Sequence, residues 1–227
     1  MKTIFATFNF KSADLASAEK AYLENHVRLT LQLPNLRQYI TGVIRPNAER
    51  PMPRRAAFNY FDDEAAMRLA LHGSAAAKLL LQDGAEHLRV NRWLELGSEI
   101  IVPFEPRRPG LTCFVLATEF ELGLDGDDYA TAESQYVERI VNRTRQLPNL
   151  RHYMISKYQL TKRPDTMRAR SAVAAMRSPL RMAMLVFDSS DALGEAFASP
   201  LGTELRNDES ATITHLRSYE IDATVQM

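Results

Sequence analysis

The chain has 227 residues, with 28 Lys plus Arg balanced by 28 Asp plus Glu, one cysteine and 45 % hydrophobic residues. The zero net charge argues against nucleic acid as a main partner, and a single cysteine excludes a disulfide framework or a thiolate metal cluster within one chain. No apolar run approaches the roughly 18 residues that span a bilayer, and the start, MKTIFATFNFKSADL, lacks a signal-peptide core and cleavage site, so a cytoplasmic protein without membrane contact is expected.

An internal repeat is the strongest feature. Residues 18–40 and 132–154 are identical at 13 of 23 aligned positions, where chance gives about one or two. Gln32-Leu33-Pro34-Asn35-Leu36-Arg37 recurs unchanged as Gln146 to Arg151. A second match aligns Phe61-Asp62 with Phe187-Asp188.

In chain order, residues 3–10 alternate as a strand does, and Cys113 to Phe120 match them. Leu15, Ala18, Tyr22, His26, Leu29 and Leu33 fall on one face of a helix. Its counterpart carries Tyr129, Ala132, Tyr136, Ile140, Arg143 and Leu147. Pro34 and Pro148 stop these helices. Second strands are predicted over 36–44 and 150–160, third strands over 55–61 and 182–187. Asp62-Asp63 and Asp188-Ser189-Ser190 then supply caps for alanine-rich helices. Fourth strands are predicted over 93–102 and 212–221. Between the copies, PFEPRRPG halts helix and strand alike, which sets boundaries of 1–103 and 111–227. Each copy thus reads βαββαβ, a ferredoxin-like unit. The expected fold is α+β: two tandem ferredoxin-like domains that pack sheet to sheet into an intramolecular α+β barrel.

Tyr22-x-x-x-His26 followed by Leu33-Pro34-x-Leu36-x-x-Tyr39 resembles the EthD family of the dimeric α+β barrel superfamily. Phe197-Ala198-Ser199-Pro200, then Leu205 and Asp208, resembles that family's second helix. The resemblance covers both halves and implies a tandem EthD-like protein. The superfamily holds cofactor-free monooxygenases, isomerases, cyclases and decarboxylases, and also haem-binding enzymes. It implies an enzyme that acts by proton transfer or oxygenation on a small apolar, aromatic or polyketide-like molecule. The alternative is a non-catalytic carrier with the same cavity. No cofactor is expected, with a histidine-bound haem as the lesser reading.

His26 and Tyr22 are the catalytic candidates. His26 sits in an otherwise apolar helix stripe, and its counterpart Ile140 favours burial, so both should point toward the sheet. A histidine there titrates near neutral pH and can serve as acid or base. The plainer reading is a core histidine bonded to Tyr22 or a backbone carbonyl. Tyr39, Arg37, Tyr136, Asn59, Tyr60 and Trp93 are candidate substrate contacts. The tyrosines suit a helix–sheet seam, Arg37 suits a carboxylate or a surface ion pair, and one face of the third and fourth strands should line the interior. The remaining histidines have no ligand spacing, so no metal is expected. Cys113 reads as a buried, inert thiol. A basic insertion over 161–179 reads as a solvated loop or as a guide for an anion. A homodimer is possible through outer helices or fourth strands.

Overall fold

The computed structural model describes residues 1–104, 109–123, 129–158 and 180–227. The basic insertion over 161–179 and Pro106 of the boundary motif lie outside the described residues.

The first repeat begins with β1 (Lys2–Phe10) and α1 (Leu15–Ala21). A π-helical turn over Tyr22–His26 leads into α2 (Val27–Thr30). Then come β2 (Leu36–Ile44), β3 (Arg55–Phe61), α3 (Glu64–His72), α4 (Ala75–His87) and β4 (Leu88–Val102). The second repeat has β5 (Thr112–Leu122), α5 (Tyr129–Gln135), a π-helical turn over Tyr136–Val141 and α6 (Asn142–Thr144). It continues with β6 (His152–Tyr158), β7 (Arg181–Phe187), α7 (Ser190–Ala198), α8 (Pro200–Thr212) and β8 (Ile213–Val225).

Local chemistry accounts for the matched punctuation. After Pro34 and Pro148, Asn35 and Asn149 adopt φ of 59° and 61°, a left-handed conformation that Asn tolerates better than most residues. That turn is what the repeated Gln-Leu-Pro-Asn-Leu-Arg encodes. Asp63 caps α3 by accepting from the Ala66 amide, and Ser189 caps α7 by accepting from Ala192. The fourth strand starts earlier than the sequence suggests, at Leu88 rather than Trp93. No glycine or proline separates α4 from β4. Leu88 itself turns the chain, with extended φ and ψ of −111° and 144°. β8 also runs on to Val225, past the expected end at Ile221.

The strands follow the cyclic hydrogen-bonding order β1-β3-β2-β8-β5-β7-β6-β4, which is that of a closed antiparallel barrel. The fold class is therefore α+β, as the element order requires. Compactness divides the chain into one unit of Met1–Leu96, Arg107–Thr112 and Ile221–Met227, and another of Gly97–Pro106 and Cys113–Glu220. β4 and β8 each give residues to both.

In the first unit, β1 and β2 flank β3, with Phe5 opposite Phe58 and Tyr39 opposite Asn59. β2 also pairs with the end of β8, where Gly42 meets Ala223. A Cβ on Gly42 would stand 2.3 Å from the Asp222 carbonyl oxygen, so only glycine lets the strands approach there. The helices cover the sheet face that carries Ile4, Phe8, Tyr39, Ala57 and Phe61. In the second unit, β5 and β6 flank β7, and Phe120, Tyr153, Leu185 and Phe187 form the corresponding core with Tyr136, Ile140 and Leu205. Cys113 of β5 is buried, and burial pushes its thiol up to about 12, so it stays unreactive. Among the described residues no helix is long and apolar enough to cross a membrane.

Candidate functional site

The π-helical turn sets the geometry of the first unit. Within it the Val27 amide reaches back five residues to the Tyr22 carbonyl, and the wider turn brings Tyr22 and His26 to the sheet side together. Their rings stack with centroids 5.2 Å apart and planes 21° apart. The His26 Nδ1 lies 2.7 Å from Asp83 Oδ2, on α4, and both side chains are about five-sixths buried, at 15 % and 16 % exposure. The pair fixes the tautomer: Nδ1–H donates to the carboxylate, which leaves Nε2 as a free base. Burial pulls the His26 pKa below its ordinary 6.5, and Asp83 opposes that pull. The imidazole is therefore neutral at neutral pH.

Beneath this pair runs a chain of hydroxyls. Tyr22 Oη lies 2.7 Å from Tyr39 Oη and 2.9 Å from Thr41 Oγ1, and the Thr41 hydroxyl donates to the Ala56 carbonyl at 2.9 Å. Because Thr41 has spent its proton, Tyr22 must donate to Thr41 and Tyr39 to Tyr22. The Tyr22 proton is thus held within this chain of hydroxyls. The Arg55 guanidinium sits 4.7 Å from its ring centre and is held by Glu19 at 2.5 Å. Burial raises both tyrosine pKa values, Tyr39 the more strongly.

His26 stands in the wall between two pockets. One, of about 410 Å³, is apolar: Ile4, Phe8, Leu33, Ala57, Leu80 and Trp93 line it together with Tyr22, Tyr39, Asn59 and His26. The other, of about 400 Å³, has a mixed lining that brings Lys11, Ser17, Asp83, Glu86 and His87 around Tyr22 and His26. Asn59 Oδ1 is buried without a hydrogen-bond partner.

Of the residues singled out in the sequence, His26, Tyr22, Tyr39, Asn59 and Trp93 come together at the apolar pocket. Three do not. Arg37 is exposed and bonds Asp62 Oδ2 through Nε at 2.8 Å, beyond the end of the pocket. Tyr60 is buried, but strand alternation turns it from the face that carries Ala57 and Asn59. Tyr136 belongs to the other unit, where it lines a smaller pocket of about 130 Å³. Asp83 escaped the sequence reading. It belongs to no motif in LLLQDGAEH and its partner is 57 residues away. A signal existed: the Ser74 and Ser199 caps align α4 with α8, and Asp83 then falls on Asp208. Neither a backbone carbonyl nor the Tyr22 hydroxyl is the histidine's partner.

No family model matches the sequence, and no curated protein is detectably similar to it. Solved structures do share the fold. A putative monooxygenase from Fusobacterium nucleatum superposes with a TM-score of 0.70 at 10 % identity, over 99 % of this chain and 93 % of that one. A putative monooxygenase from Lactobacillus acidophilus gives 0.64 at 12 %, over 100 % and 95 %. A putative chlorite dismutase gives 0.60 at 10 %, over 98 % and 94 %. At these identities the likeness is one of fold alone. It also corrects one expectation. The barrel is shared with a chlorite dismutase and with dye-decolorizing peroxidases, so cofactor-free chemistry does not follow from it. The apolar pocket itself offers one imidazole but, among the described residues, no Lys or Arg to meet the carboxylates of a porphyrin. That lining does not suit a haem. Among the described residues no group of three or more His, Cys, Asp or Glu is placed to hold a metal.

Proposed function

We propose that the chain is a tandem EthD-like enzyme, with copies at 1–103 and 111–227, whose first copy binds a small apolar, aromatic or polyketide-like molecule and moves a proton with His26. The observation that carries this reading is the His26–Asp83 pair in the wall of a large apolar pocket. A histidine oriented by a carboxylate is the usual arrangement of a general base. Nε2 takes a proton from an acidic C–H or O–H of the bound molecule. Asp83 stabilises the imidazolium, and the same proton returns to another atom of the product. Asn59 Oδ1, buried and unpartnered, accepts a hydrogen bond from a ligand hydroxyl. Trp93 and Leu80 hold the apolar body. The second pocket at His26, which carries Lys11, Glu86 and His87, gives the pair an exchange path to water.

The test is a thermal-shift screen of small aromatic and polyketide-like compounds on the wild type and on His26→Ile, which copies the residue of the second repeat. Compounds that stabilise the wild type alone place the ligand at His26. In heavy water the wild type should then exchange an acidic ligand C–H that the variant leaves untouched. Compounds that stabilise both proteins equally, with no exchange, would make the chain a carrier.

A further inference from the structure

The second unit has a pocket of its own with different chemistry. Ile140 occupies the histidine slot, but α8 compensates. Where α4 has Gly84, on which a Cβ would stand 3.5 Å from the His26 ring, the aligned residue of α8 is Glu209. The Glu209 side chain reaches the pocket of about 130 Å³ whose walls include Leu116, Phe120, Ile140 and Leu185. A cavity of about 150 Å³ holds one benzene ring. The Tyr136 hydroxyl, in a side chain only 1 % exposed, lines the same pocket and has no hydrogen-bond partner. Tyr153 lines the same pocket beside it.

We propose that this pocket is a separate binding site for a small primary amine carrying one ring or a short branched chain, with Glu209 as counter-ion and the Tyr136 oxygen as second acceptor. Charge supports an amine over a neutral ligand. Among the described residues, the one basic group within 4 Å of the Glu209 carboxylate is His215, at 3.8 Å. Burial lowers the His215 pKa, so that ring is neutral at pH 7. Arg206 acts on Glu209 from its own helix, and Arg143 of α6 is taken up by Asp208. Burial raises Glu209 to about 7. An ammonium ion would pull that carboxyl back to its ionised form and displace a proton on binding.

The experiment is calorimetric titration of the full chain with benzylamine and its neutral analogue benzyl alcohol. The amine should bind about tenfold tighter or more, the scale of a hydrogen bond to a charged group. Its affinity should fall from about pH 8 to about pH 6 as Glu209 takes up its proton, and its heat at pH 7 should vary with the buffer because a proton is released. Glu209→Gln should erase the preference for the amine, and Ala183→Leu, which fills the pocket from β7, should abolish binding. Equal binding of both compounds, a preference that survives Glu209→Gln, or no binding of the amine would each overturn the proposal. His26→Ile should leave the titration unchanged, which separates this site from the first.

Discussion

The two repeats share a scaffold and differ at one patch. In both, a buried arginine lies against the face of the helix tyrosine: Arg55 over Tyr22 at 4.7 Å, Arg181 over Tyr136 at 5.3 Å. In both, a glutamate one helical turn upstream, Glu19 or Glu133, bonds that arginine. An exposed arginine–aspartate pair recurs as well, Arg37–Asp62 and Arg151–Asp188. The difference sits where α2 or α6 meets the second long helix. The first repeat has His26 on Asp83. The second has Ile140, and its matching Asp208 is bonded by Arg143, one turn further on. An aspartate that faces a titratable imidazole can support proton transfer, whereas one that faces a permanently charged guanidinium can only hold the helices together. Duplication thus preserved the frame and let the chemistry diverge.

The largest expected effect comes from erasing this difference. His26→Ile should lower ligand proton exchange by about 10³-fold, within the usual range for a general base, while far-ultraviolet circular dichroism stays that of the wild type. Loss of the frame should be nearly as costly but should not discriminate between the halves. Arg55→Ala and Arg181→Ala each remove a charge-assisted hydrogen bond to a partly buried glutamate and a guanidinium–tyrosine contact, and should cost about 3 kcal/mol in urea denaturation. A much smaller cost in one half would mean that the frame is not shared. Asp83→Asn should reduce exchange by about 10²-fold, because an amide N–H facing Nδ1 favours the wrong tautomer. The same change sharpens the pH profile. His26 is a base with a lowered pKa, so the wild-type rate should rise with pH to a plateau, with its midpoint below the ordinary 6.5. Without Asp83, which opposes the lowering, that midpoint should move further to the acid side. A wild-type midpoint above 6.5 would remove the neutral-imidazole reading. The smallest effect belongs to the surface pairs: Arg37→Ala and Arg151→Ala should each change stability by less than about 1 kcal/mol, since both partners are half exposed.

Much of this architecture is visible in the residues themselves. Pro34-Asn35 and Pro148-Asn149 announce a turn that needs a left-handed residue, and Asp63 and Ser189 announce helix starts. The beginning of β4 is invisible because Leu88 changes the chain from helix to strand without a breaker, and the exposed Arg89, Val90 and Asn91 carry no alternation. At the site, the stripe places Tyr22 and His26 correctly on the sheet side, because helical spacing is local information. Asp83 is not local. An acidic residue in a polar stretch reads as solvated until tertiary packing carries α4 across α2. Arg37 fails for the opposite reason: its repetition in both halves signals an ion pair with Asp62 or Asp188, and repetition alone does not tell a brace from a binding group.

The π-helical turns have a genetic counterpart. Such a turn is an α-helix that has accepted one extra residue, and each residue of an α-helix advances the chain by about 100°. Deleting a single codon within 22–26 would let the helix close up. Everything on its N-terminal side would then rotate by about that angle relative to Val27, and Glu19 would swing away from Arg55. A one-codon deletion would here undo an ion pair and an aromatic stack together. The extra residue therefore has to be inherited with the pair it aligns.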